Sequence, residues 1–130
     1  MRLPESVDTP LRTMICLLVL PPGIVVASLL GMVLGLVGAP QRRVHIAYTG
    51  YARFCLLVGG TRLEVNGLDR LDPDQAYLVV SNHESNWDLP SLVAGLSGLI
   101  LRFVAKKEVM RIPIFGQALR ITGNLRVVRT

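Results

Sequence analysis

Between Thr13 and Gln41 the chain carries no charged residue. So long a gap excludes an ordinary solvated surface segment. A scarcity of the opposite kind marks the other end. From Leu99 to Thr130 there is one acid, Glu108, against seven basic residues, Arg102, Lys106, Lys107, Arg111, Arg120, Arg126 and Arg129. That imbalance points to anionic partners, namely phosphate-bearing ligands or anionic lipid. Nucleic acid is not expected, because the cations lie among apolar residues and none of the recognised binding motifs is present. Cysteine is scarce as well. Cys16 and Cys55 form no C-x-x-C, which leaves two reduced buried thiols in a cytosol-facing protein. With His45 and His83 they make no ligand set, so no metal is expected. A G-x-x-x-x-G-K phosphate loop is missing too, and no internal repeat occurs.

The chain's 130 residues suffice for one domain with a modest core. Hydrophobic residues make up 51% and charged ones 18%, a balance that favours membrane association. The uncharged segment exceeds the ~20 residues a bilayer-spanning helix needs. Pro21-Pro22 divides it into Thr13–Leu20 and Gly23–Val37, kinked or folded back between them. A kinked span and a hairpin within one leaflet are both open. A cleavable signal peptide, with V-G-A before Pro40, is disfavoured by that proline and by the length of the run. Arginines at 42, 43, 53 and 62 outnumber those before the segment, so the C-terminal side is expected to face the cytoplasm, at the cell membrane.

These features divide the chain into a tail (1–12), a membrane anchor (13–41), an amphipathic helix (42–58) and an α/β domain (59–130). In the second helix Val44, Tyr48, Tyr51 and Cys55 fall at helical spacing. Interfacial placement and ordinary packing on the domain are both open, and His45 reads as an interfacial or surface residue. After Gly59-Gly60, TRLEV alternates like a strand and Asn66-Gly67 marks a turn. AYLVVS (76–81) reads as a buried strand, and a helix follows from about Asp88 to Leu96. A second strand is expected over 99–105, a helical stretch broken at Pro113 and Gly116 over 107–122, and a third strand over 125–129. The fold class is therefore α/β, a partial layered domain behind an apolar anchor.

Residues 81–92, SNHESNWDLPSL, hold the candidate chemistry. His83 leaves the C-terminal end of the 76–81 strand, where α/β sheets usually hold ligands. Asp88 opens the next helix. Across such a corner the carboxylate can fold back onto imidazole Nδ1–H, fixing the tautomer and leaving Nε2 free as a base. The pair can deprotonate a substrate hydroxyl that then attacks an acyl donor, with no serine or cysteine nucleophile. Asn82 and Ser85 are expected to brace the turn through hydrogen bonds to the backbone. Trp87 reads as a packing or interfacial residue.

VVSNHESNWDLPSL resembles the first signature block, N-H-x-S-x-x-D, of the glycerolipid acyltransferases, in particular the 1-acylglycerol-3-phosphate acyltransferases. The likeness runs from about Thr13 to the end and includes FVAKKEVMRIPIFGQALRITGNLRVVR, similar to the stretch carrying the second block. The resemblance implies that His83 is the general base and Asp88 its orienting partner. It implies an acyl thioester donor, on coenzyme A or acyl carrier protein, and no other cofactor. The acceptor would be lysophosphatidate or a similar lysophospholipid, drawn from membrane lipid, and the product phosphatidic acid. Lys106 and Arg129 match positions associated with the acceptor's phosphate.

Val128 departs from the family, which often has an acidic or amide residue before that arginine. The third block, of E-G-T/S-R type, would lie beyond residue 129. The expectation is the N-terminal part of a longer protein. Alternatives are a truncated or non-catalytic membrane protein with a structural histidine turn, and an acyltransferase using glycerol 3-phosphate, another lysophospholipid or an aminolipid.

Overall fold

The computed structural model describes residues 5–128. In chain order it has helix α1 (Glu5–Leu36), α2 (Gln41–Gly59), α3 (Asp88–Gly95), strand β1 (Val104–Lys106), α4 (Phe115–Ile121) and strand β2 (Leu125–Val127). Short 3₁₀ turns occupy Leu68–Arg70 and Val109–Arg111.

α1 runs as one helix through Pro10, Pro21 and Pro22. The chain therefore does not fold back at Pro21-Pro22, as the sequence allowed. Proline costs a helix about 3 kcal/mol when nothing compensates, but here α2 supports the weak point. The Tyr51 hydroxyl donates to the Leu20 carbonyl at 2.8 Å, directly before the two prolines. The reversal comes later, at residues 37–40. Pro40 precedes α2, and Gly60 ends it in the left-handed conformation with φ 64°. Thr61 N–H there returns to the Leu56 carbonyl at 2.9 Å, the form of a glycine C-cap.

Small residues on α1 create the slot into which the rest packs. Gly23, Ala27, Gly31 and Gly35 recur every fourth position and so share a face. A Cβ at Gly23 would meet the Tyr51 ring, one at Gly31 the Tyr48 hydroxyl, and one at Gly35 the Ile121 side chain. These contacts, with Arg12 lying against Gly60, make α1 and α2 antiparallel and seat α4 near the far end of α1. The interior is accordingly built from close approach. Its members are mainly Ala27, Val44, Ala52, Cys55, Leu56, Ala94, Met110 and Ala118, and the largest fully buried side chain is Ser28.

The buried face of α2 holds Val44, His45, Thr49, Ala52, Cys55 and Leu56. This stripe is rotated from the expected Val44–Tyr48–Tyr51–Cys55 line, and it corrects the reading of His45. That ring is buried at 7% exposure with no partner for Nε2, and burial pushes its pKa down. Cys55 is buried and Cys16 half-buried, both as free thiols.

The sheet is smaller than the sequence suggested. β1 and β2 pair in parallel, with Val104 opposite Leu125 and Lys106 opposite Val127. The Asn124 carboxamide extends this ladder, since its oxygen accepts Phe103 N–H at 2.7 Å while its amide donates to the Leu119 carbonyl at 3.2 Å. Residues 61–65 and 76–81 form no strand and join no sheet. The latter segment was expected to be a buried strand. Instead Leu78 is 89% and Val80 84% exposed, since no described element packs over those side chains. The expected break at Gly116 also shifts. Gly116 lies inside α4, where a Cβ would collide with the Met110 backbone, and the interruption falls at residues 112–114. Ile114 there takes φ 67°, a conformation that strains a β-branched residue.

Candidate active site

The turn between residues 82 and 87 is organised by one carboxylate oxygen. Asp88 begins α3, and its side chain reaches back over the four preceding residues. Oδ2 accepts the backbone N–H of Glu84 and of Ser85, each at 2.7 Å, and stands 3.1 Å from His83 Nδ1. Ser85 completes the turn. Its Oγ accepts Trp87 N–H at 3.2 Å, and its carbonyl accepts Asp88 N–H at 3.2 Å. Asn82 makes no side-chain hydrogen bond among the described residues, so the bracing expected of it falls to Ser85 and Asp88.

Three donors converging on one oxygen favour its charged form. The Asp88 pKa is lowered, first by the Ser85 N–H, then by the His83 ring and the Glu84 N–H. An ionised carboxylate only accepts hydrogen bonds, so the contact requires the proton on His83 Nδ1 and leaves the Nε2 lone pair outward. The His83 side chain is 65% exposed and that of Asp88 29%. An open hollow of about 460 Å³ lies over His83, Glu84, Ser85 and Asn86. A hydroxyl could therefore reach Nε2 without displacing protein atoms.

The turn rests on α2 through Trp87. Its ring fills the space beside Gly59 and packs against the cluster of Ala52, Leu56 and Ala94. Neither this platform nor the two backbone amides was found from the sequence. Amides carry no residue-type signal, although Gly59-Gly60 at the end of an apolar helix hints at a close approach.

Lys106 is exposed at the last position of β1, and no hydrogen bond or ion pair among the described residues joins it to the turn. Arg129 lies outside the described residues. No group of three or more His, Cys, Asp or Glu that could hold a metal occurs among the described residues.

Comparison with known proteins adds an independent line. A family model described as Acyltransferase matches residues 62–130, just over half of the chain. The chain is 29% identical over 96 residues to a 1-acyl-sn-glycerol-3-phosphate acyltransferase of Pseudomonas aeruginosa, covering 69% of this chain and 35% of that protein. It is 36% identical over 70 residues to the human 1-acyl-sn-glycerol-3-phosphate acyltransferase alpha, covering 54% of this chain and 24% of that one. The bovine alpha protein matches to the same extent. The chain thus spans between a quarter and about a third of the length of these relatives. No solved structure matches it significantly. With the family model covering the turn, both strands and α4, the chain belongs to the Acyltransferase family.

Proposed function

We propose that the chain supplies the general base of an O-acyltransferase acting on 1-acylglycerol 3-phosphate. The observation that carries this reading is the 3.1 Å contact of His83 Nδ1 with Asp88 Oδ2 beneath an open Nε2. Nε2 takes the proton of the acceptor's free hydroxyl as that oxygen bonds to the thioester carbonyl carbon. Asp88 stabilises the imidazolium so formed. Collapse of the tetrahedral intermediate breaks the C–S bond, and the departing thiolate takes the proton from the imidazolium. The products are phosphatidic acid and a free thiol, on coenzyme A or acyl carrier protein. Lys106 and Arg129 bind the acceptor's phosphate in this scheme, a role suited to cations.

A membrane setting suits both substrate and fold. Thr9–Leu36 of α1 is long and apolar enough to cross a bilayer, and only 17% of its most apolar window is buried in the protein. At 1.5 Å per residue it measures about 42 Å. Its antiparallel pairing with α2 favours a hairpin lying along one leaflet over a simple crossing. Arg12 lies at one end of the pair and Arg42 and Arg43 at the other, and an upright α1 would carry Arg53, exposed part-way along α2, into hydrocarbon at about 3 kcal/mol. Such a hairpin keeps the start of α1 and the domain on one face, read here as the cytoplasmic face of the cell membrane.

The test is His83→Ala in the full-length protein, with transfer of a labelled acyl group as readout. Turnover is expected to fall about 10²- to 10⁴-fold, the range for loss of a general base. Unchanged turnover would remove the proposal.

A further inference from the structure

A second concavity lies where the start of α1 passes the end of α2. It is a groove of about 600 Å³ whose walls include Arg12, Thr13, Cys16 and Leu17 on one side, and Gly59 and Trp87 on the other. Its size is that of a ligand site, and its chemistry is graded. Arg12 stands at one end and makes no ion pair among the described residues. One turn along α1, Cys16 and Leu17 supply an apolar wall, and the Trp87 ring faces them. Arg12 is also the last charge before the uncharged run that begins at Thr13. The outward face of α1 beside it is apolar, with Leu17 and Leu18 69% and 71% exposed.

A cation at the end of an apolar slot complements an anion joined to an alkyl chain. We propose that this groove binds an anionic phospholipid, with its phosphate on the Arg12 guanidinium and the upper part of an acyl chain between Leu17 and Trp87. Trp87 immediately precedes Asp88, so a lipid held there lies against the element that carries the candidate base. The proposal rests on the acyltransferase reading only for the use made of the lipid; the binding itself is independent of turnover.

The chain's only tryptophan is a wall of the groove, which gives a local readout. The full chain, in micelles of neutral detergent, is titrated with phosphatidate brominated near the top of its acyl chains, and the quenching of Trp87 fluorescence is followed. Saturable quenching is expected, with half-saturation raised about tenfold in Arg12→Gln, the size of one lost charge-assisted hydrogen bond. Arg12→Lys should recover most of the affinity. Brominated phosphatidylcholine should quench weakly, unlabelled lysophosphatidate should compete, and glycerol 3-phosphate, lacking a chain, should not. Equal quenching by the two brominated lipids, an unshifted curve in Arg12→Gln, or reversal by glycerol 3-phosphate would each overturn the proposal. His83→Ala separates the two readings, because it should lower acyl transfer by the full-length protein about 10²- to 10⁴-fold and leave the quenching curve in place.

Discussion

The Trp87 ring occupies the space that a side chain at Gly59 would need. The end of α2 and the start of α3 are thereby locked together one residue before Asp88. Gly59→Val should displace the indole and cost about 1–3 kcal/mol, the usual penalty of overpacking. Chemical denaturation would measure the loss, and the emission of Trp87 should move to longer wavelength as the ring is exposed. An unchanged midpoint would mean that the turn is seated by other contacts.

Asp88→Asn leaves the size of the side chain almost unchanged but removes its charge. In the proposed scheme the imidazolium then loses its counter-ion and the tautomer its anchor. Turnover is expected to fall by up to about 10⁴-fold, as when the aspartate of a catalytic triad is amidated. The Michaelis constant for the lipid acceptor should stay near the wild-type value. A drop confined to the Michaelis constant would assign Asp88 to binding instead.

The depressed pKa of Asp88 also sets a pH dependence. Because the folded value lies below the ordinary 3.8, the carboxylate's contribution to the turn is fully present above that pH. It is lost only as pH falls through the lower, folded value. Slow amide exchange at Glu84 and Ser85, followed by NMR on acidification, should therefore persist below pH 3.8 and disappear in Asp88→Asn at every pH. Loss of protection above that value in the wild type would contradict the hydrogen-bond arrangement.

Glycines within the helices should respond in opposite ways. Gly31 faces the Tyr48 hydroxyl and Gly35 the Ile121 side chain, whereas nothing lies within 4 Å of a Cβ built at Gly50. Alanine at Gly50 should stabilise α2 by up to about 1 kcal/mol through helix propensity. Alanine at Gly31 or Gly35 should destabilise despite the same propensity gain, by about 1–3 kcal/mol. Thermal unfolding in detergent would rank the three. A shared direction of change would refute the slot on α1.

Much of the candidate site was legible because it is local. Five residues separate His83 from Asp88, and an aspartate at a helix start after a polar turn has few other places to go. What could not be read depended on distant partners. The Pro21-Pro22 step reads as a break until Tyr51, thirty residues on, is placed beside it. His45 reads as polar surface until α2 is rotated against α1. AYLVVS has the composition of a buried strand, but strand status needs a neighbour, and no described segment supplies one. The basic bias of the C-terminal third was visible, whereas the position of Lys106 relative to His83 depends on tertiary arrangement.

Residues 76–80 stay outside the two-stranded sheet, with Leu78 and Val80 exposed. The His83–Asp88 couple is prefabricated by bonds within its own loop and needs no neighbour for the segment that precedes it. The span between His83 and the cations downstream can therefore change without breaking those contacts. In the proposed scheme, substitutions outside the loop can alter which acceptors fit while the His83–Asp88 contact stays in place.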